Sequence, residues 1–277
     1  MIVRKKIASF TSLVLFGAVL CYGQEDEASA AEMAKKLQDP LAHISAIMSD
    51  NDLLFKTGND DFSFSSSIQP VQAWSLDDKG FNFIFRAVVP VVALAPEASK
   101  PPYIDEPVSS SGTTFGLSDI ITQYFFSPKT DGAWKWGLGP MISLRTRTSD
   151  KLAGPGWGAG PVGVLVGGAG DFSFAFIGGH LWGDQDGFST TIFQPMVYYN
   201  FPSSPGLALS YNNQWSYSWS ASSGNEWSLP LGLSISKTFA MKGNHGMDLG
   251  IGPYWMAAKP KGAAESMIRI TFAWLFP

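Results

Sequence analysis

Hydrophobic and polar residues alternate with a period of two along most of this chain after residue 48. The alternation is clearest near the end, where Ile268, Ile270, Phe272, Trp274 and Phe276 share one face. Arg269 and Thr271 fall on the other face. Because successive side chains of a β-strand point to opposite sides of a sheet, this period predicts strands.

The alternating segments are separated by clusters of Gly, Asp, Asn, Ser and Pro, the residues that favour turns. Twelve segments of this kind can be drawn. They span residues 48–57, 62–76, 81–94, 113–126, 133–147, 157–168, 172–182, 188–201, 207–219, 227–239, 247–258 and 266–276.

Residues 24–50 have a helical period instead. Ser29-x-x-Glu32 has the form of a capping box, and Pro40 predicts that the helix breaks or kinks near Asp39. Apolar residues recur at three- and four-residue steps: Ala30, Met33, Leu37, Leu41, Ile44 and Met48.

Residues 1–23 have the organisation of a signal peptide. Arg4, Lys5 and Lys6 precede the apolar stretch 7–20, and small residues suit cleavage after Gly23. Cys21 offers a second interpretation as a lipidation site, although Leu20 before it is bulkier than processing prefers. We expect simple cleavage, followed by a helical segment at 24–50 and a β-barrel at 51–277.

Cleavage would remove the only cysteine and three of the 19 Lys+Arg residues, against 23 Asp+Glu. The mature chain is then acidic, which disfavours a nucleic-acid surface, and it has no thiol chemistry. No later apolar run reaches the about 20 residues of a spanning helix.

A water-soluble β-sandwich also alternates, so the position of the large aromatic residues decides between the two classes. Membrane barrels carry aromatic girdles at both interfaces around an apolar band. The tryptophans near segment ends are Trp134, Trp136, Trp182, Trp215, Trp219, Trp227 and Trp274. The pattern therefore predicts a single antiparallel transmembrane β-barrel of about 12 strands, with a short N-terminal helix, in a bacterial outer membrane.

The connections agree with this topology. An even strand number makes the short connections 77–80, 128–132, 169–171, 202–206 and 240–246 periplasmic, while the longest, 95–112, lies outside.

The prolines inside the predicted strands conflict with a closed barrel, because proline cannot donate to a strand ladder and a closed barrel has no edge strand. Either they lie at bulges or several segment boundaries are wrong. They are Pro70, Pro90, Pro140, Pro161, Pro195, Pro230 and Pro253.

The sequence contains no strong motif for cofactor binding, metal binding or catalysis. Gly158-Ala-Gly160-Pro-Val-Gly163 matches G-x-G-x-x-G, but Pro161 and the surrounding glycines do not provide the helix that dinucleotide binding needs. His43, His180 and His245 are scattered, so we predict no metal site and no cofactor. No G-x-S-x-G elbow occurs, which leaves a barrel-embedded, phospholipase-like hydrolase as the second hypothesis.

Polar residues on the inward faces form a more coherent set. They either pair with one another and lock the barrel shut, or contact a solute, and a twelve-stranded barrel lies between filled and open sizes. This predicted lumen-lining set is Gln69, Arg86, Asp119, Gln123, Lys135, Arg145, Gln194, Asn212, Gln214, Asp248 and Arg269.

Several motifs, in order along nearly the whole mature chain, resemble bacterial outer-membrane proteins related to the phenol-degradation meta-pathway barrel proteins. Such proteins are often labelled "transporter" or mislabelled "neuromedin U". The motifs are Leu37-Gln-Asp-Pro-Leu-Ala-His-Ile-Ser45, Ile68-Gln-Pro-Val71, Arg86-Ala-Val-Val-Pro90, Trp136-Gly-Leu-Gly-Pro140, Trp157-Gly-Ala-Gly-Pro161, Gln194-Pro-Met-Val-Tyr-Tyr-Asn200 and the Leu-Phe-Pro277 ending. The chain departs from the pattern in its longer loop at 96–111 and its final Pro277.

The resemblance implies an outer-membrane barrel with a transport role, an unassigned substrate and no catalytic residues. We expect a passive channel for a small, hydrophobic solute, in contact with outer-membrane lipid and lipopolysaccharide. Phe276 resembles the terminal aromatic read by the barrel assembly machinery. A third hypothesis is a structural barrel closed by the helix at 29–48.

Overall fold

A computed structural model describes residues 27–76, 80–104, 106–130 and 132–276. The predicted signal peptide, Cys21 and Pro277 lie outside the described residues. One helix, α1 (Glu27–Gln38), precedes the strands in the described chain.

Twelve antiparallel strands follow and form one closed sheet, in which β12 pairs with β1. Short interruptions divide β4, β9 and β10 into two parts each. The strands are β1 (Ser45–Thr57), β2 (Asp61–Leu76), β3 (Phe81–Leu94), β4 (Thr114–Leu117 and Ile120–Pro128), β5 (Trp134–Leu144), β6 (Gly158–Ala169), β7 (Phe172–Gly183), β8 (Ser189–Asn200), β9 (Leu207–Asn212 and Trp215–Ser218), β10 (Trp227–Gly232 and Ser234–Met241), β11 (His245–Ala258) and β12 (Ser266–Phe276).

The predicted fold class is confirmed, because each strand overlaps one of the twelve alternating segments. We name the two ends of the barrel by what lies there. The helix end holds α1 and the start of β1, and the loop end holds the long connection 95–113.

The predicted helical segment at 24–50 is wrong at its C-terminal boundary. The helix ends at Gln38, before Pro40, and β1 begins at Ser45. Met48 fits the helical spacing, but it also fits a strand that pairs with β2 on one side and β12 on the other. Two ladders of hydrogen bonds outweigh a weak local helical pattern. Ser29 lies inside α1 and is not its N-cap.

Three prolines explain the three interrupted strands. Pro90, Pro195 and Pro253 lie opposite the breaks in β4, β9 and β10, where the paired residues are skipped. Since a proline has no N–H for its neighbour, the facing strand loses its ladder there. These three prolines therefore lie within strands, each opposite an interruption of the neighbouring strand.

The other four prolines also lie at ladder defects. Pro230 lies at a register shift between β10 and β11, and Pro70 lies where β2 and β3 skip two pairs. Pro140 and Pro161 face each other across β5 and β6. Such a pair must be of the non-hydrogen-bonded kind, so both nitrogens point to the outer neighbours β4 and β7. Two pairs are skipped in each of those ladders.

Glycine precedes both of these facing prolines for a steric reason. A Cβ on Gly139 would lie 1.8 Å from the carbonyl oxygen of Tyr124, and one on Gly160 would lie 1.7 Å from that of His180. Any other residue would push the neighbouring strand away. The two W-G-x-G-P motifs therefore encode close strand approach.

The outer surface of the barrel is an apolar band. Large apolar side chains between 36% and 73% exposed cover it, and a water-soluble protein rarely exposes so continuous an area. Trp74, Trp134 and Trp136 lie toward the helix end, while Trp182, Trp219 and others lie toward the loop end. An apolar outer surface with aromatic residues toward both ends is the arrangement of an outer-membrane β-barrel.

Candidate functional site in the lumen

The helix end of the lumen is filled by α1 and the residues after it. Met33 packs in a buried cluster with Ala46 and Leu275, and Leu41 reaches the main core inside the barrel. The absence of a side chain at Gly246 makes room, since a Cβ there would lie 2.9 Å from the sulfur of Met33. We call residues 27–44 the helical plug.

Two polar contacts hold the helical plug to the wall. Lys135 Nζ lies 2.8 Å from Asp39 Oδ2. The amides of Gln38 and Asn200 exchange two hydrogen bonds, at 2.8 and 3.1 Å. Lys135, predicted to face the lumen, thus contacts the plug.

The loop end is narrowed by residues 95–113, which fold back inside and which we call the inserted loop. Ala98, Ile104 and Val108 are buried in a cluster with Val92 and Leu152. The backbone of Lys100 and Ile104 closes a tight turn with bonds of 2.8 and 3.1 Å. The loop tip therefore points toward the centre of the barrel.

A cavity of about 100 Å³ lies between the inserted loop and the barrel wall. Its polar lining includes Asp50, Gln69, Arg86, Gln194 and Arg269. Its apolar lining includes residues of β3 and of the inserted loop, and residues of β1, β11 and β12 on the other wall: Val88, Pro90, Val92, Tyr103, Ile104, Leu54, Met256 and Met267.

Arg86 is the centre of the polar side. Its Nε and Nη2 donate to Gln69 Oε1 at 3.1 and 2.6 Å, and its Nη1 donates to Gln123 Oε1 at 3.2 Å and Gln194 Oε1 at 3.4 Å. Gln194 in turn donates to Asn212 Oδ1 at 3.0 Å. Five of the predicted lumen residues therefore meet in one network.

Arg269 forms a second network. Its Nε and Nη2 donate to the two carboxylate oxygens of Asp52 at 2.6 and 2.9 Å, and both residues are buried. Its Nη1 donates to Asn213 Oδ1 at 3.2 Å. Lys100 of the inserted loop reaches the same carboxylate at 3.1 Å. Asp52 thus ties the loop to the barrel wall.

An apolar cluster also lines the wall from β3 to β8. Ile84, Phe125, Met141, Val164 and Ile177 belong to one buried cluster on the inward faces. Tyr103 joins it from the inserted loop, where burial raises the pKa of its phenol. Polar and apolar side chains therefore share the lumen, because Arg86, Gln123 and Gln194 lie on the same wall as this cluster.

The remaining predicted lumen residues lie apart from the cavity or at its border. Asp119 is fully buried at the break in β4, where it accepts from backbone N–H groups of residues 146, 147 and 156. Arg145 pairs with Asp184 at the rim, where both side chains are over 40% exposed. Asp248 accepts from Thr238 at 2.7 Å, and Gln214 borders the cavity.

Sequence reasoning missed Asp50, Asp52 and Asn213. Asp50 and Asp52 lie at inward-facing positions of the predicted strand 48–57. The start of that strand was also assigned to the predicted helical segment 24–50, so these positions were not considered. Asn213 lies in the break of β9, where parity gives no guidance. The inserted loop had no periodic signal at all.

A serine approaches His180 across β7 and β8. His180 Nε2 lies 3.2 Å from Ser189 Oγ, and Nδ1 lies 2.8 Å from Thr191 Oγ1. Their buried neighbours Leu181 and Thr190 face inward, so this cluster faces outward beside the exposed Trp182. Within the described ranges, no three His, Cys, Asp or Glu side chains group closely enough to hold a metal ion.

No described helix combines the length and the apolar character needed to cross a membrane. No protein-family model and no curated protein sequence matches the chain.

Solved structures do resemble it. An outer membrane channel from Pseudomonas putida F1 superposes with a TM-score of 0.58 at 12% identity, covering 86% of this chain and 99% of that one. The CymD monoaromatic hydrocarbon channel gives a TM-score of 0.40 at 11% identity, covering 88% of this chain and 92% of that one. The first likeness shows the fold that the two chains share.

Proposed function

We propose that the protein is a passive channel of the bacterial outer membrane for a small solute with a hydrophobic part. The observation on which the proposal rests is the central cavity, which polar and apolar side chains line together beside an inserted loop that is not part of the barrel wall. A barrel that served only as an anchor would not need a cavity with this mixed lining.

The shared fold supports this role, because the Pseudomonas putida protein is an outer membrane channel. The resemblance to barrel proteins related to the phenol-degradation meta-pathway points the same way. We also propose that the outer surface contacts lipopolysaccharide. The barrel assembly machinery would recognise the last strand, which ends at Phe276.

The test is solute uptake by proteoliposomes. Vesicles that contain the folded protein should swell in isotonic solutions of small solutes, and the rate should fall as solute size rises. Vesicles with an equal amount of protein, heat-unfolded before reconstitution, are the control. Swelling no faster than in this control, together with no conductance in planar bilayers, would assign the barrel a structural role.

The Ser189–His180 contact is the observation that favours a second candidate function, a hydrolase on the outward face near the loop end. An activated serine needs its histidine oriented by a third group, usually a carboxylate or an amide. Here Thr191 provides a hydroxyl, which already accepts from Trp219 Nε1 at 2.9 Å.

We therefore expect a fluorophosphonate probe to leave the folded protein unlabelled. Labelling that disappears in Ser189→Ala, but persists in the nearby Ser222→Ala, would establish the hydrolase instead.

A further inference from the structure

Arg86 is a buried cation without a carboxylate of its own. Among the described residues its hydrogen bonds go to three neutral amide oxygens, and no carboxylate oxygen lies within 4.0 Å of its guanidinium. A charge taken out of water is costly unless an opposite charge accompanies it. The structure therefore keeps a positive charge in the lumen at some cost.

The neighbouring charges do not neutralise it. Asp52 is shared by Arg269 and Lys100, and Asp50 lies 4.0 Å from Arg269. Asp50 reaches Arg86 only through Gln69, whose Nε2 donates to Asp50 Oδ2 at 3.1 Å. Around the cavity, three cations thus face two carboxylates, and the excess positive charge lies at Arg86.

The next inward carboxylate does not change this balance. Asp248 accepts from Thr238 at 2.7 Å and does not line the cavity. Lys135 and Arg145 are paired at opposite ends of the barrel.

The surroundings of Arg86 select among anions. A guanidinium offers a planar fork of donors that matches a carboxylate. In Arg86 the fork of Nε and Nη2 holds Gln69 Oε1, so a carboxylate would bind there by replacing this amide oxygen. The cavity beside it continues along Val88, Pro90 and the ring of Tyr103. An inorganic anion would leave these apolar surfaces uncovered, whereas a hydrocarbon group would gain by burial there.

We propose that Arg86 binds the carboxylate of a small monoanionic solute, with the hydrocarbon part against Val88, Pro90 and Tyr103. This inference deepens the proposed function by naming the solute class. At about 100 Å³ the cavity holds only a short carboxylate while the inserted loop is in place.

Binding is tested with butyrate and its uncharged analogue butyramide. The detergent-folded protein should take up radiolabelled butyrate saturably in equilibrium dialysis, and butyramide at least tenfold more weakly. Inorganic phosphate should compete poorly, since it covers no apolar surface. Equal binding of butyrate and butyramide would overturn the inference, and so would full displacement of butyrate by equimolar phosphate.

Two variants assign the site, and a third is the control. Arg86→Gln should lose at least tenfold in butyrate affinity, while Arg86→Lys, which keeps the charge but not the fork, should lose less. Arg145→Gln removes an arginine at the rim and should bind as the parent does. Heat-modifiable gel migration confirms that each variant is folded. Unchanged binding by folded Arg86→Gln would refute the site.

The outcome is separable from that of the channel proposal. Butyrate binding without conductance or swelling would support the site and overturn the channel. Conductance without butyrate binding would support the channel and overturn the site.

Discussion

At the scale of single residues, the Asp52 carboxylate is the counter-charge for two cations in the lumen. It accepts two hydrogen bonds from Arg269 and one from Lys100, while only 3% of the residue is exposed. Replacing it by asparagine keeps the shape but leaves two cations without their counter-charge. Breaking a buried ion pair on one side costs about 3–5 kcal/mol.

We therefore expect Asp52→Asn to lower the temperature at which the folded band converts to the unfolded band on semi-native gels. Asp150→Asn, at an exposed position between β5 and β6, is the matched control and should not change it. An Asp52→Asn barrel as heat-stable as the parent would show that the two cations find other partners.

The alternation of the sequence was enough to predict inward residues but not their partners. Period two places Arg86 and Gln123 inside, and pairing across β3 and β4 makes them neighbours. The distinction between Arg145 and Arg86 depends on where the strand ends, since Arg145 lies just beyond Leu144. The alternation of residues does not mark the strand end sharply. The sequence therefore predicted the same lumen position for Arg145, which lies at the rim, as for Arg86.

At the scale of elements, the prolines illustrate how two local rules combine. Each proline removes a ladder bond, and the chain accepts the loss by breaking the facing strand or by placing glycine beside it. Gly160 shows the second solution, because the His180 carbonyl occupies the place of its missing Cβ.

Gly160→Ala should therefore destabilise the barrel by about 1–3 kcal/mol, the usual cost of overpacking. Gly178→Ala is the control, since its Cβ would meet only side-chain atoms of Phe176, which can turn away. Urea unfolding in detergent, followed by tryptophan fluorescence, measures both. Equal midpoints for the two variants would contradict the close approach.

The elements themselves were largely predictable, and the exceptions have a physical cause. Strand segments were recognised because lipid on one side and a filled lumen on the other impose a strict alternation. The start of β1 was missed because the four-residue spacing of Ile44 and Met48 satisfies both periods. Only pairing with β2 and β12, which are distant in sequence, decides between them.

At the scale of the whole molecule, the two plugs lie in series along one lumen. The current through constrictions in series is limited by the narrower one. With two plugs of similar resistance, removing either one alone should raise conductance little, while removing both should raise it much more than the sum of the single effects.

Residues 27–38 can be deleted without touching β1, whereas a deletion of 24–50 would remove its first six residues. The inserted loop can be shortened by replacing residues 99–104 with a Gly-Ser linker. Single-channel recording of the parent, both single variants and the double variant gives the four conductances that the comparison needs. Glu32→Ala, which removes only an exposed pair with Lys36, is the control for the helix deletion.

The pattern of the four values decides between two architectures. If conductance rises strongly in the double variant and in neither single variant, both plugs close the path. A solute must then displace both of them to cross. If the helix deletion already gives the full rise, the inserted loop leaves a passage open and the helical plug is the only barrier. Equal, low conductance in all four would place the barrier in the packed wall residues around Phe125 and Met141, which no plug removal relieves.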